Sequence, residues 1–275
     1  MNCRGKLICF DSPKVMGILN LTEDSFSDGG LYFNNPAAYL FRIENMLAQG
    51  ADIIDIGCMA TNPNAKEISE DQERQCMEEA LAHIMPRFPD TVFSIDTWRT
   101  NVAKTAVEMG VSIINDISGG SFDQTMFSLV AQLQVPYILM HTTGRPNVMQ
   151  QNTAYTNLVA DIFLYLSQRL DALRQLGVND VIVDPGFGFG KQVSQNYTLL
   201  KQLHVFKALG APLLVGLSRK TMLYKLLNTT PLQTLNATTV VNTIALLQGA
   251  DIVRVHDVKE AVEVLKIVSQ WQEAM

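Results

Sequence analysis

A repeated unit runs along the chain: a segment with helical spacing ends at a glycine, and a short apolar run rich in β-branched residues follows. Gly50 precedes the run 53–56 and Gly249 precedes the run 252–255, each with Ala-Asp directly after the glycine. Glycine suits the left-handed position at a helix C-terminus, and a short apolar run is typical of a strand covered on both faces. The unit recurs at three more glycines: Gly110, Gly177 and Gly210. The pattern therefore predicts helices alternating with parallel strands.

Three further apolar runs complete a set of eight candidate strands: 15–19, 92–95 and 137–140. Eight strands that each lead into a helix within about 250 residues are typical of a single-domain (β/α)8 TIM barrel. The alternative is a doubly wound open sheet, which commonly carries a glycine fingerprint after its first strand. Here that position reads Asn-Leu-Thr-Glu-Asp-Ser from Asn20, without the fingerprint. We expect the barrel, as one domain over 1–275 with residues 1–12 as a short N-terminal hairpin or strand.

Polar residues mark several predicted helix starts. Asn35 is placed to cap a helix that has Pro36 at its first position, where proline loses no hydrogen bond. Two pairs with the spacing of a capping box follow: Ser69 with Gln72, and Asp257 with Glu260. Each predicts the N-terminus of a helix.

Composition excludes several classes of protein. The 275 residues are 47% hydrophobic and 17% charged, which suits a chain with a large core. The net charge of −6 gives no basic stripe, so we expect no nucleic-acid partner. No apolar run approaches the length of a membrane span, and four sparse cysteines favour reduced thiols over a disulfide framework. We expect a cytoplasmic protein with no membrane partner.

Every predicted strand ends in a polar or ionisable group. In a TIM barrel, the chemistry lies at the C-terminal ends of the strands. One such residue is more often a turn former, but eight on one rim indicate a binding site. The strand-end residues are Asn20, Asp55, Asp96, Asn115, His141, Asp184, Ser218 with Arg219 and Lys220, and Arg254 with His256.

The last predicted strand carries a candidate anion site. Arg254 and His256 are two residues apart, so on a strand their side chains face the same side. A guanidinium, an imidazole and the helix N-terminus after Asp257 favour a phosphate. The alternative is an arginine paired with an acid beside a buried histidine.

Three other strand-end residues suit a polar heterocycle. Asp96, Asn115 and Asp184 supply acceptors and donors on the rim, and carboxylates pair well with amidine-like N–H groups. Asp96 could equally be a helix cap before Thr97.

The glycine-rich segment 184–191 reads Asp-Pro-Gly-Phe-Gly-Phe-Gly-Lys. It matches neither the phosphate-binding P-loop nor the dinucleotide fingerprint, because Lys191 stands where the latter needs its third glycine. Its glycines instead allow a flexible loop and two aromatic rings, Phe187 and Phe189, to approach a flat ligand. Lys220 could be a Schiff-base nucleophile, although beside Arg219 it better suits an anionic or electron-rich ligand.

Several signatures in order resemble the dihydropteroate synthase family. They are the segment 16–30, the segment 184–191, Ser218-Arg219-Lys220, and the run 254–257 that reads Arg-Val-His-Asp. The resemblance extends from Met16 to about Val268.

The resemblance implies a reaction in which para-aminobenzoate displaces pyrophosphate from 6-hydroxymethyl-7,8-dihydropterin pyrophosphate, giving 7,8-dihydropteroate. It implies Mg²⁺ at Asn20, catalytic roles for Lys220, Arg254 and His256, and a homodimer. The substrate-binding residues that it implies are Thr61, Asp96, Asn115, Asp184, Phe189, Ser218, Lys220, Arg254 and His256.

One loop departs from the family pattern. Where the family reads Ser-Thr-Arg-Pro-Gly, residues 60–64 read Ala-Thr-Asn-Pro-Asn, so Asn62 stands in place of the arginine. Three interpretations stay open: an active synthase, a pterin-dependent methyltransferase, and a non-catalytic pterin-binding paralogue.

Overall fold

The computed structural model of the chain describes residues 1–22, 32, 34–59 and 67–274. Within them an N-terminal hairpin of β1 (Asn2–Cys3) and β2 (Lys6–Leu7) precedes eight parallel strands. These strands are β3 (Lys14–Asn20), β4 (Ile53–Gly57), β5 (Val92–Asp96), β6 (Ile113–Asp116), β7 (Tyr137–Met140), β8 (Val181–Asp184), β9 (Leu214–Val215) and β10 (Ile252–Val255). All eight lie where the apolar runs predict them.

The parallel strands form a barrel. Their order is β8-β7-β6-β5-β4-β3-β10-β9, so each strand lies beside its neighbours in sequence. A parallel bridge between Val183 and Leu213 joins the two ends of this row. The strand order never reverses, as it would in a doubly wound sheet. The predicted (β/α)8 TIM barrel is therefore confirmed.

Helices surround the barrel. They are α1 (Pro36–Ala48), α2 (Glu70–Arg87), α3 (Thr100–Glu108), α4 (Met126–Leu133), α5 (Leu158–Gln175), α6 (Val193–Lys201), α7 (Thr221–Leu227), α8 (Leu235–Leu247) and α9 (Val258–Glu273). Short 3₁₀ turns occupy Met149–Gln151, Leu203–Leu209 and Pro231–Gln233. No helix in the described ranges is long and apolar enough to cross a membrane.

All three predicted helix starts are confirmed. The Asn35 side chain accepts from the backbone N–H of Ala38, and Ser69 forms its capping box with Gln72. Helix α9 begins directly after Asp257 as predicted, but the capping-box hydrogen bond does not form, because the Asp257 side chain caps no backbone N–H of α9. It accepts two hydrogen bonds from Arg219, at 2.7 and 3.2 Å. A bidentate guanidinium–carboxylate pair is stronger than a bond to a neutral amide, so the carboxylate turns to the arginine.

The apolar strand residues fill two regions. A large cluster lies between the strands and the helices, and a smaller one closes the N-terminal end of the barrel interior with Met16, Ile53 and Ile252. Cys3 of the hairpin packs into this smaller cluster. The opposite end of the barrel carries the buried polar groups, so the site lies at the C-terminal ends of the strands.

Candidate active site

A cavity of about 810 Å³ opens at the C-terminal ends of the strands. The predicted site residues that line it are Asn20, Asp96, Phe189, Ser218, Lys220, Arg254 and His256. Asn115 and Asp184 are buried at the ends of β6 and β8, outside this lining. Thr61 and the loop 60–64 lie outside the described residues, as does the part of the first signature from Glu23.

Arg254 connects two carboxylates at the mouth of the barrel. Its Nε donates to Asp55 Oδ2 at 2.6 Å, and its Nη2 donates to Asp96 Oδ2 at 2.7 Å. Asn115 Nδ2 donates to the same Asp55 oxygen at 3.0 Å. The arginine–acid pair, the alternative to an anion site, is thus present, while Arg254 also lines the cavity. One guanidinium can serve both roles because it has five N–H donors.

Asp96 presents an oxygen without a partner. Its Oδ1 is buried and accepts no hydrogen bond from the described part of the chain. Burial raises the pKa of Asp96 to about 7, against the opposing charge of Arg254. Asp96 is not the cap of α3, whose N-cap is Arg99. Because an unpaired buried acceptor is costly, this oxygen is suited to a ligand N–H group.

Asp184 supplies a second carboxylate. It is the last residue of β8, and its Oδ1 accepts from the backbone N–H of Gly186 at 2.7 Å. Burial raises the pKa of Asp184, while this hydrogen bond and the charges of Lys220 and Lys191 oppose the rise. The carboxylate is therefore held in place by the glycine-rich segment that follows it.

Lys220 lies above an aromatic ring. Its Nζ is 4.4 Å from the centroid of Phe189, within the range of a cation–π contact. Burial and the charge of Arg254 lower the pKa of Lys220 to about 8, whereas Asp184 and Asp96 oppose this. The ammonium and the ring together form one wall of the cavity.

His256 is a neutral donor in this site. Ser218 Oγ lies 3.0 Å from His256 Nδ1 and accepts from the backbone N–H of His256 at 3.2 Å. Burial and the surrounding cations, beginning with Arg219 and Arg254, lower the pKa of His256 well below its ordinary value. The Ser218 hydroxyl can donate to Nδ1, an arrangement that leaves the imidazole proton on Nε2. His256 can then donate one hydrogen bond to an anion without adding a charge.

Comparisons with known proteins identify the family. Residues 16–256 match the family model described as "Pterin binding enzyme". The dihydropteroate synthase of Escherichia coli K12 is 39% identical over 96% of this chain and 94% of its own length, and that of Synechocystis is 41% identical over 92% and 88%. A solved Yersinia pestis dihydropteroate synthase in complex with a sulfonamide drug superposes with a TM-score of 0.95, at 39% identity and 100% and 99% coverage.

The chain belongs to the dihydropteroate synthase family. It is therefore a transferase, and the resemblance seen in the sequence signatures is confirmed. Among solved relatives, the Xanthomonas albilineans dihydropteroate synthase with 4-aminobenzoic acid has a TM-score of 0.90 at 32% identity, covering 99% and 98% of the two chains.

The sequence contains Asp55 at a strand end and Lys191 in the glycine-rich segment, but it predicts no individual site role for either group of this dihydropteroate synthase family member. Asp55 follows the pattern of a core strand residue, yet its carboxylate joins Arg254 to Asn115. Its position near the end of the run 53–56 is the one sign in the sequence that Asp55 lies close to the site. The sequence around Asp55 does not show which side chains it binds, because both partners lie far away along the chain.

The second group is a buried lysine. Lys191 Nζ donates to the carbonyl oxygens of Gly186 and Phe189 at 2.8 and 2.9 Å, and lies 3.0 Å from His141 Nδ1. These three acceptors match the three donors of an ammonium group. Burial lowers the pKa of Lys191 to about 7. Burial and the charge of Lys191 together lower the pKa of His141 strongly, so His141 stays neutral. Lys191 thus fastens the glycine-rich segment that carries Phe189.

Proposed function

We propose that this chain condenses 6-hydroxymethyl-7,8-dihydropterin pyrophosphate with para-aminobenzoate, releasing pyrophosphate and forming 7,8-dihydropteroate. The observation that carries the proposal is the buried Asp96 Oδ1, which has no partner in the described ranges and lies at a cavity that also holds cationic groups. Membership of the dihydropteroate synthase family supports the same reaction.

The carboxylates would bind the pterin ring. Asp96 and Asp184 supply acceptors for the amidine-like N–H groups of the ring. Asn115 donates a hydrogen bond to Asp55 and so helps to hold the carboxylate that binds Arg254. Lys220 lies beside these carboxylates and can donate to a ring acceptor, while its position over Phe189 also lets its charge attract the anionic aminobenzoate. Burial strengthens each of these bonds, because water does not compete for the same groups.

The other end of the substrate would bind at the strand-end cations. Arg254 and the Nε2–H of His256 donate to the pyrophosphate and stabilise the charge that grows on the leaving oxygen. The bond from the exocyclic carbon to that oxygen breaks, the amine nitrogen of aminobenzoate bonds to the carbon, and the amine loses one proton. The electron-rich ring tolerates positive character at the carbon, and a neutral amine needs little help from a base. Phe189 and Ser218 would face the aminobenzoate side.

The residues present fit a magnesium ion. A Cβ on Gly57 would lie 3.7 Å from Asn20 Oδ1 and 3.8 Å from Asp96 Oδ2, so both oxygens border the same space above this glycine. Amide and carboxylate oxygens suit Mg²⁺, which commonly takes one or two protein ligands along with substrate phosphates. Asn20 would hold the ion, and the ion would supply charge neutralisation for the pyrophosphate.

A steady-state assay tests the reaction. Purified protein given both substrates and Mg²⁺ should release pyrophosphate only when aminobenzoate is present. A pterin-binding paralogue would release none, and a methyltransferase would have no use for the pyrophosphate group. Lys220→Gln should lower the rate strongly, whereas the exposed Lys266→Gln serves as the matched control.

We further propose a homodimer and a cytoplasmic location. Exposed apolar side chains lie on α7, α8 and α9, and α8 packs against α9. They are Leu226, Leu227, Leu235, Val240, Ile244, Leu247, Ile267 and Trp271. Exposed apolar side chains on packed helices suit an interaction surface, and a second copy of the chain is its proposed occupant. The cytoplasmic location rests on the sparse, free cysteines.

Light scattering tests the dimer. Trp271→Glu should convert the dimer to a monomer, since a charge in an apolar interface is costly to bury. Leu164→Glu is the matched control, because Leu164 is similarly exposed on α5. A wild-type monomer would contradict the proposal.

We also propose that the residue at position 62 alters the response to sulfonamides. Asparagine at position 62 cannot clamp an anion bidentately as an arginine does, so discrimination between aminobenzoate and sulfonamide should differ from that of arginine-containing relatives. The test compares wild type with Asn62→Arg, using the Michaelis constant for aminobenzoate and the inhibition constant for sulfamethoxazole. An unchanged ratio of the two constants would contradict this role for the loop.

A further inference from the structure

Two cysteines from different elements meet near the candidate active site. Cys58 directly follows the last residue of β4, and Cys76 lies in the middle of α2. Their Sγ atoms are 2.7 Å apart, and both are free thiols. An S–S bond is about 2.05 Å long, so a small approach of the side chains would form one. We propose that Cys58 and Cys76 are a redox pair that forms a reversible disulfide in the folded protein and thereby alters the active site.

The surroundings indicate which thiol reacts first. Cys58 is 3% exposed, and burial beside Cys76 and Glu73 raises its pKa well above the ordinary value. Cys76 is half-buried on the outer helix, so it is the more accessible of the two residues. Since accessible thiols are oxidised before buried ones, Cys76 is the residue that peroxide oxidises first and Cys58 is the resolving residue.

One molecule of hydrogen peroxide can oxidise the two thiols to the disulfide. The Cys76 thiol attacks hydrogen peroxide, becomes a sulfenic acid and releases one water. The Cys58 sulfur then attacks the Cys76 sulfur, the S–S bond forms, and the sulfenic oxygen leaves as a second water. Two thiols are oxidised by two electrons and one peroxide is reduced; a thiol reductant reverses the reaction.

The pair is connected to two parts of the cavity. Met59, the residue after Cys58, lines the cavity. The Cys76 thiol donates to the carbonyl oxygen of Leu21, and the next residue, Thr22, also lines the cavity. A disulfide removes this thiol donor and ties the end of β4 to α2. We therefore expect oxidation to lower turnover; this coupling rests on the proposed function.

Peptide mapping tests the disulfide directly. Trypsin cleaves after lysine and arginine, so Cys58 falls in the peptide 43–66 and Cys76 in the peptide 75–87, while Cys3 and Cys9 fall in 1–4 and 7–14. The host for the test is Cys9→Ser, which removes the exposed competing thiol. After peroxide, these two peptides should appear linked, with a mass about 2 Da below their sum, and dithiothreitol should separate them.

Two variants keep the result interpretable. With Cys58→Ala, peroxide should leave a sulfenic acid on Cys76 that dimedone traps; with Cys76→Ser, peroxide should leave the peptide 43–66 unlinked. Absence of the linked peptide in the host, or linkage to Cys3 in its place, overturns the proposal.

Turnover of the same samples tests the coupling. Oxidation should lower turnover of the host reversibly and leave Cys76→Ser unaffected, and unchanged turnover of the linked protein overturns the coupling. If the reduced host releases no pyrophosphate, the proposed function fails, whereas peptide mapping still decides the disulfide.

Discussion

Arg254 is held by Asp55, a residue 199 positions earlier in the chain, through a hydrogen bond of 2.6 Å. Strand β3 lies between the two strands that carry them, so the bond crosses one strand at the mouth of the barrel. Asp96 holds the same guanidinium from a third strand. The cation of the site is therefore fixed before any ligand binds, which limits the reorganisation that catalysis requires.

Replacing Arg254 should weaken binding of the pyrophosphate end of the substrate most. Arg254→Gln removes a charge that the pyrophosphate needs, so binding of the pyrophosphate substrate should weaken far more than binding of free hydroxymethylpterin. Calorimetry with both ligands measures this, with the exposed Arg87→Gln as control. Equal weakening of the two ligands would contradict the anion-binding role.

The same variant should be less stable. Without Arg254, the carboxylates of Asp55 and Asp96 lose their cation, and breaking a buried pair commonly costs about 3–5 kcal/mol. Urea unfolding should show this loss, and adding Asp55→Asn should recover part of it because one unpaired charge is removed. Stability equal to wild type would show that the pair contributes nothing.

Asp184 should control pterin affinity. Asp184→Ala removes a buried carboxylate from the ring site, and leaving a partner group unsatisfied typically costs about 1–3 kcal/mol. Calorimetry should record the corresponding loss of pterin affinity, whereas Asp171→Asn, an exposed change on α5, should bind as wild type does. Wild-type affinity in Asp184→Ala would exclude this residue from the site.

Lys220 should give aminobenzoate binding a pH dependence. Its pKa is lowered to about 8, so the ammonium is present below that pH and is lost as the pH rises through it. The Michaelis constant for the anionic aminobenzoate should therefore rise above that pH. In Lys220→Arg this rise should disappear, since the guanidinium stays charged. Profiles measured between pH ~6 and ~10 test this, and the same rise in both proteins would assign it to another group.

Lys191 should act through the glycine-rich segment that it holds. Lys191→Met leaves the carbonyls of Gly186 and Phe189 without their donor, so the Phe189 ring loses its fixed position. The Michaelis constant for aminobenzoate should rise more than pterin affinity falls. The exposed Lys201→Met is the control. Equal effects on the two substrates would indicate general destabilisation.

The sequence predicts the fold because its signals are local. A glycine at a helix end, as at Gly110, and an apolar run after it are read within ten residues. The rim residues follow from the same reading, since parallel strands end at one edge. What the pattern does not contain is the choice of partner. Asp257 has the spacing of a cap but pairs with Arg219, and Lys191 finds His141 fifty residues away.

Isotope-labelled turnover tests the proposed condensation most directly. The purified protein receives the pterin pyrophosphate and aminobenzoate labelled with ¹⁵N at the amine, and mass spectrometry and a pyrophosphate assay follow both products. We expect labelled 7,8-dihydropteroate and pyrophosphate in equal amounts. Pyrophosphate released without labelled product, or no turnover at all, would contradict the proposed condensation.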